Sequence, residues 1–464
     1  MLSFSEKVSY AVGRFGSSIT MDLADFFTGF VYYLFFGLQE IPFLAFLGVA
    51  VGKVVIGISC YTSGYISDRT DTRIGRRKPF VLIGLPIMAF AFFMLYNPHL
   101  VLIASSSEVI IFSYLLLFNS IYQFFYGFMI TPYQSTLPEI TETDEERLVV
   151  SGYQNTMNIF AFIVGAGTSF LLPVMIGTSD DYGLANLQEA NEIFPFLTDG
   201  QVMTSIVLIF AIILIIAYIP FLIKIKEGDI VIPQPTLKEE IQVALSNKNF
   251  MSWTLSRSIL QLAIASLTGI LLAWIEEVLG LDEIGYILFG ATLLIFILLG
   301  FSFWVRIGND QRYGKTKSYI YSMSALIFVI PLMSIVGQIE TPIPMLVQSL
   351  IVALLGALTL SCYYLLPYAI TGDIAKEDEL RTGESRAGMY YGFELIAMNF
   401  AQVVGYLLVG ALLSLPKITN YLENEFSIGY LLFGPISSVI IFIAVLIFWK
   451  YVDADPLRKT QKVY

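Results

Sequence analysis

Residues 71–76 read Asp71-Thr72-Arg73-Ile74-Gly75-Arg76, and residues 310–315 read Asp310-Gln311-Arg312-Tyr313-Gly314-Lys315. Each copy of this D-x-R-x-G-basic pattern follows the second long apolar run of its half of the chain. A second echo lies farther along each half: Pro132-Tyr133 with Glu139, and Pro367-Tyr368 with Asp373. The two echoes recur at offsets of 239 and 235 residues, so one unit of chain is used twice, in the same orientation. Polytopic transporters are built from repeats of this kind, with the solute site near the bilayer midplane.

The runs around these motifs set the fold class. The chain has 464 residues, of which 56% are hydrophobic and 14% charged. A soluble domain carries roughly 25% charged residues and could not hide so much apolar surface; the mean hydropathy of +0.74 points the same way. A spanning helix needs about 20 apolar residues. Such runs fall at 8–35, 43–66, 80–104, 109–131, 148–176 and 201–223 in the first half. The second half gives 251–274, 284–306, 317–337, 344–370, 387–414 and 428–450. Lipid offers backbone groups no partner, so each run is expected to be a helix. The expectation is an all-α polytopic protein of twelve transmembrane helices: a bundle over residues 1–225, a linker over 226–250 and a second bundle over 251–464.

Basic residues orient the spans. The loops at 36–42, 97–108, 177–200, 275–283 and 338–343 hold no lysine or arginine, which assigns them to the outside and both termini to the cytoplasm. Arg14, Lys53 and Arg257 fall inside spans and Lys417 outside; the remaining lysines and arginines lie in cytoplasmic segments or at cytoplasmic helix ends. The net charge of −11 argues against nucleic acid as a partner. The first run carries charges and no small-residue cleavage site, so it is expected to remain as a helix. The lone His99 reads as a surface loop residue, and no cofactor or metal is expected. The partners expected are a small solute and the lipid bilayer, with the chain a monomer in the plasma membrane.

Charges in hydrocarbon are costly, and those present mark a cavity or pathway. Arg14, Ser18, Asp22 and Asp25 share one face of the first helix by their i, i+4, i+8, i+11 spacing. Lys53 lies at similar depth in the second and is the natural counter-charge, either in a structural ion pair or at a site. Polar stripes add Asn119, Gln123 and Tyr126 on the fourth span, Gln154, Asn155 and Asn158 on the fifth, and Glu394, Asn399 and Gln402 on the eleventh. Asp22, Asp25, Lys53, Gln123, Asn155, Glu394 and Asn399 are the candidate pathway residues; Asp22, Asp25 and Lys53 are expected to meet around a central cavity that also receives Gln123, Asn155 and Asn399. The bland alternative is interhelical hydrogen bonding with no ligand. Asp68, Arg69, Arg73, Gly75, Arg76, Glu139, Asp373 and Arg386 are candidate cytoplasmic gate residues, their pairs expected to be exposed and weak; topology anchoring alone would also explain the charges.

Four stretches carry a resemblance: Lys7 to Gly16, Gly64 to Phe80, Thr131-Pro132-Tyr133 through Glu145-Glu146-Arg147, and Glu377 to Tyr390. They are similar to the glycoside-pentoside-hexuronide:cation symporters, the melibiose-permease and sucrose-transporter branch of the major facilitator superfamily. The resemblance implies the major-facilitator fold and alternating-access transport of a sugar or glycoside coupled to Na⁺ or H⁺. Melibiose-type members carry cation-binding carboxylates where this chain has Ile56, Cys60 and Ile130, and Asn155 and Asn399 stand where they carry an arginine and a lysine. A hard cation needs several oxygen ligands. H⁺, or Na⁺ bound elsewhere, is therefore the expected coupling ion, carried by Asp22, Asp25 or Glu394. The same fold moving a lipid-like or amphiphilic solute is the alternative. An enzyme or receptor is not expected, because no nucleophile, metal cluster or Gly-rich phosphate loop sits at any span end.

Overall fold

The computed structural model of the chain describes residues 2–70, 72–103, 106–141, 144–176, 199–227, 237–310, 312–338, 341–382, 387–420, 422 and 424–455. Twelve long helices dominate the described residues, the first six being α1 Phe4–Leu34, α2 Pro42–Asp68, α3 Lys78–Leu95, α4 Glu108–Ser135, α5 Asp144–Ile176 and α6 Asp199–Lys224. The second half repeats the series with α7 Lys248–Trp274, α8 Glu283–Asn309, α9 Gly314–Val329, α10 Met345–Thr382, α11 Ala387–Leu413 and α12 Gly429–Tyr451. Among the described residues, eleven stretches, those of α2 to α12, are long and apolar enough to cross a bilayer. The twelfth, α1, has 31 residues, ample for a crossing, but Arg14, Asp22 and Asp25 lower its apolarity. Its start is fixed by a capping box in which Ser3 accepts from the Glu6 amide and Glu6 accepts from the Ser3 amide at 2.8 Å. The Ser3 hydroxyl, which donates to Glu6 Oε2 at 2.7 Å, and the Ser3 amide together hold the Glu6 carboxyl below its ordinary range.

The chain divides into two compact units, residues 1–232 with 268–272, and residues 233–267 with 273–464. In the first, α2 packs on α4, α1 on α5 and α6, and α3 on α4 and α6. In the second, α8 packs on α10, and α9 on α10 and α12. Leu237–Ser246, within the stretch expected as a linker, forms a short helix against α11 in the second unit.

Several helix ends depart from the sequence expectation. The third span, expected to reach residue 104, stops at Leu95, because Asn97 precedes Pro98 and that position disfavours helix. A 3₁₀ turn, Pro98–Leu100, follows, and in it His99 is buried rather than at the surface. That burial lowers the imidazole pKa. The ninth span breaks at Pro331, which has no N–H to continue the ladder, and resumes as Leu332–Ile335. The tenth helix runs on to Thr382 instead of ending at residue 370. α7 closes in a π-helical turn, Ile275–Leu279, and a left-handed Gly280.

The loop before α12 holds an unanticipated hairpin, β1 Lys417–Thr419 paired antiparallel with β2 Glu425–Ser427. The Asn420 side chain closes its turn by accepting from the Leu422 and Asn424 amides at 3.0 Å each. Asn420 and Asn424 also donate to the Val278 carbonyl, which ties the hairpin to the π turn.

Candidate functional site

The polar face of α1 lies in the first unit and meets α2, α4 and α5. Lys53 of α2 forms an ion pair with Asp25, and Met21 Sδ lies 3.9 Å from its ammonium. Lys53 is only 2% exposed, whereas Asp25 retains 28%. An ammonium at that depth is tolerable because its counter-charge is in contact. Asp22, one turn earlier, takes no part in that pair, and its Oδ2 is buried without a hydrogen-bond partner. α5 closes over it: a Cβ on Gly165 would stand 2.9 Å from the Asp22 Cβ and 2.7 Å from the Ile19 carbonyl oxygen.

The other stripes resolve into distinct roles. Asn119 is buried and donates to the Gly48 carbonyl at 2.9 Å, bonding α4 to α2. Gln123 is buried beside Gly52, and its Oε1 lacks a partner among the described residues. From α5 it is Asn158 that reaches α1, accepting from Ser18 at 2.6 Å. Asn155 is exposed on the same helix. Gln154 donates to the Tyr133 hydroxyl at 3.3 Å. Tyr133 and Tyr10 stack with centroids 4.8 Å apart, each hydroxyl bonded to the other's backbone carbonyl.

In the second unit, Glu394 of α11 is buried and paired with Arg257 of α7. Its other oxygen accepts from Thr371 of α10 at 2.8 Å, and Thr371 in turn accepts from the Trp253 indole at 2.9 Å. The Arg257 guanidinium lies 5.8 Å from the Trp253 ring centre. Three helices therefore meet at one charged pair. Asn399 is buried on α11 of this unit.

The D-x-R-x-G loops form two matching clasps. In the first unit Glu139 accepts from Arg76 at 2.8 Å and from Arg77 at 3.0 and 3.1 Å. Arg77 also donates to Ser67 at 2.5 Å. Glu139 and Arg77 are buried, so these contacts are not exposed, unlike the expectation from sequence. A second carboxylate, Glu227, lies just past α6. It accepts from the backbone amides of Arg76, Arg77 and Lys78 at 2.6, 2.9 and 2.8 Å, satisfying donors that open α3. Gly75, at φ +110°, makes room for it, since a Cβ there would stand 2.6 Å from the Glu227 carboxylate.

The second unit repeats the arrangement. Lys315 pairs with Asp373 at 2.5 Å. Asp455, just past α12, accepts from the amides of Lys315 and Thr316 at 3.1 and 2.9 Å and from the Thr316 hydroxyl at 2.8 Å. Gly314 again has positive φ. Arg69 and Arg73 are exposed. The side chain of Asp68 and all of Arg386 lie outside the described residues.

Sequence reasoning singled out one carboxylate of each clasp and missed Glu227 and Asp455. A signal was available: each is an acidic residue within four positions of the end of its unit's last helix. Arg257 was recognised as a charge within a span, but its pairing with Glu394 was not.

The fold likeness extends to solved structures. A crystal structure of a D-xylose-proton symporter superposes with a TM-score of 0.66 at 15% identity, covering 98% of this chain and 99% of that one. A mutant form of the nucleoside transporter NupG gives 0.60 at 14% identity, covering 96% of this chain and all of that one. In sequence, an uncharacterized symporter of Synechocystis is 23% identical over 88% of this chain and 85% of its own length. The sodium-dependent lysophosphatidylcholine symporter 1-A of Danio rerio is 22% identical over 87% of this chain and 76% of its own. The family model described as MFS/sugar transport protein matches residues 9–452. That match takes in the first clasp, the second clasp except Asp455, the α1 seam and the Arg257–Glu394 pair, and the chain belongs to this family of secondary transporters in the major facilitator superfamily.

Proposed function

We propose that this protein carries a sugar or glycoside across the membrane by alternating access, coupled to H⁺ or Na⁺, as a transporter and not an enzyme. The observation that carries the reading is the polar seam along α1. Charged and amide side chains are buried there at mid-span in a chain of the MFS/sugar transport family. Amides and carboxylates at such a depth suit hydroxyl groups, which both donate and accept. The distribution of basic residues supports a reading with both termini and both clasps on the cytoplasmic side, in a protein that acts as a monomer in the plasma membrane. A second reading, a lipid-like solute, is favoured by the lysophosphatidylcholine symporter among its relatives.

Uptake into proteoliposomes from a panel of radiolabelled mono- and disaccharides and a labelled lysophosphatidylcholine separates the two. The first reading expects at least one sugar to accumulate above empty liposomes and to be competed by its unlabelled form. Accumulation of the lysolipid alone would replace it with the second.

A further inference from the structure

The end of α7 opposite the clasps leaves α-helical register. Residues Ile275–Leu279 form a π turn, closed by Gly280 in the left-handed region. A π turn holds one residue more than the α turn it replaces; it is rare and found mostly at functional sites. Reverting it to α register would turn the residues beyond it by one position, roughly 100° about the helix axis. Several neighbours in the second unit hold it. Glu276 accepts from the Tyr286 hydroxyl of α8, and Glu277 from the Tyr430 hydroxyl of α12, at 2.5 Å each. The Trp274 indole, one residue before the turn, donates to the Met333 carbonyl at 3.0 Å. The β1–β2 hairpin supplies the remaining hold.

That hairpin grips α11 and α7 in different ways. At its base, Ser427 is buried and donates to the Leu412 carbonyl at 2.7 Å, and the Ile428 amide donates to the Pro416 carbonyl at 3.0 Å. Gly429 lies so close to α11 that a Cβ there would stand 2.0 Å from the Leu412 carbonyl oxygen. At its tip, two side-chain amides, Asn420 and Asn424, share one acceptor on the π turn, the Val278 carbonyl, at 3.1 and 3.4 Å. Both asparagines are half-buried, so water competes for these bonds and their net contribution is small. Gly280 lets the tip sit down, since a Cβ there would stand 2.9 Å from the Asn424 side-chain nitrogen. A firm anchor on α11 with a breakable contact on α7 has the form of a latch.

We propose that the hairpin is a strap that latches this end of α7 in its π register, and that the latch opens in each transport cycle, a step that rests on the transport reading. With Asn420 and Asn424 on Val278, the turn keeps its form and both carboxylates keep their tyrosines. When the two amides let go, the turn is free to take up α register, and Glu276 and Glu277 leave Tyr286 and Tyr430. The base of the hairpin stays on α11 throughout, so the tip returns to the same carbonyl.

Hydrogen–deuterium exchange read by mass spectrometry, on the full-length protein in lipid vesicles, tests the hold. Asn420→Asp keeps the oxygen that closes the hairpin turn and removes the amide that reaches Val278; Asn424→Ala removes the second amide. In the double variant, amides of residues 275–280 should exchange about tenfold faster than in wild type, the scale for losing two modest hydrogen bonds, while peptides of α1 to α6 stay unchanged. Unchanged exchange over 275–280 overturns the strap. A second variant locks the latch: a Cβ at position 280 lies 3.7 Å from the Asn424 Cγ, so Gly280→Cys with Asn424→Cys can be bridged by oxidation. Uptake of the labelled sugars and lysophosphatidylcholine should fall at least about tenfold on oxidation, as when a conformational step is blocked, and return with reductant. Full uptake by the oxidised form overturns the opening step and leaves the transport reading standing. A wild type that moves none of these solutes overturns the transport reading and the opening step with it, and the exchange result alone then decides whether the hairpin holds the turn.

Discussion

Lys53 has two aspartates within reach of one helix face and contacts one of them. Their shared face follows from spacing alone, and so does the need for a counter-charge. Which aspartate receives the ammonium depends on the rotation of α2 against α1, and spacing within one helix carries no information about that. Glu394 is similar: its burial was legible, but its partner Arg257 lies 137 residues away, on another helix. Breaking a buried pair by removing one member leaves a charge uncompensated. Lys53→Met should therefore destabilise the protein by about 3 kcal/mol, the lower end for such pairs because Asp25 is partly exposed. Lys53→Met combined with Asp25→Asn should recover most of the loss. Thermal unfolding of purified protein in detergent measures both, and a single variant as stable as wild type would show that the pair carries no net stabilisation.

At the level of elements, existence and type were legible because long apolar runs admit only helices in lipid. Boundaries were not, and each miss has a local cause. Pro98 and Pro331 cut helices whose apolar composition continues beyond them, and α10 outruns its apolar stretch because Asp373 and Asp378 gain partners in Lys315 and Arg381. The clasps show the same division. The D-x-R-x-G motifs stand out in the sequence, whereas the carboxylates that cap the helices after them come from the far end of each unit. Removing either cap should cost about 1–2 kcal/mol, the scale of a lost N-terminal cap with its dipole interaction. Glu227→Ala and Asp455→Ala belong to separate units and should be additive in the double variant. Melting temperatures of the two singles and the double test this. A double no worse than either single would mean that the clasps act as one coupled device.

For the whole molecule, the doubled motif and the long apolar runs carried most of the architecture. α1 is the element least like a membrane span by composition and the one on which the site candidates are concentrated. On the transport reading, local rules fail there because function demands charge where stability would exclude it. Asn155 illustrates the limit: it shares a helix with Asn158, but the latter is hydrogen-bonded to α1 whereas Asn155 is exposed, a distinction set by packing.

Whether the α1 seam is a transport site or a structural seam decides the function of the whole protein. Its most direct test is sugar uptake into proteoliposomes under an imposed pH or Na⁺ gradient, comparing wild type with the single variants Asp22→Asn and Asp25→Asn. The prediction is gradient-driven accumulation in wild type, abolished by an ionophore, and reduced at least about tenfold in each variant, as expected when an interaction of about 1.4 kcal/mol or more is lost from the rate-limiting step. Wild-type uptake in both folded variants would contradict it and return the seam to a purely structural role.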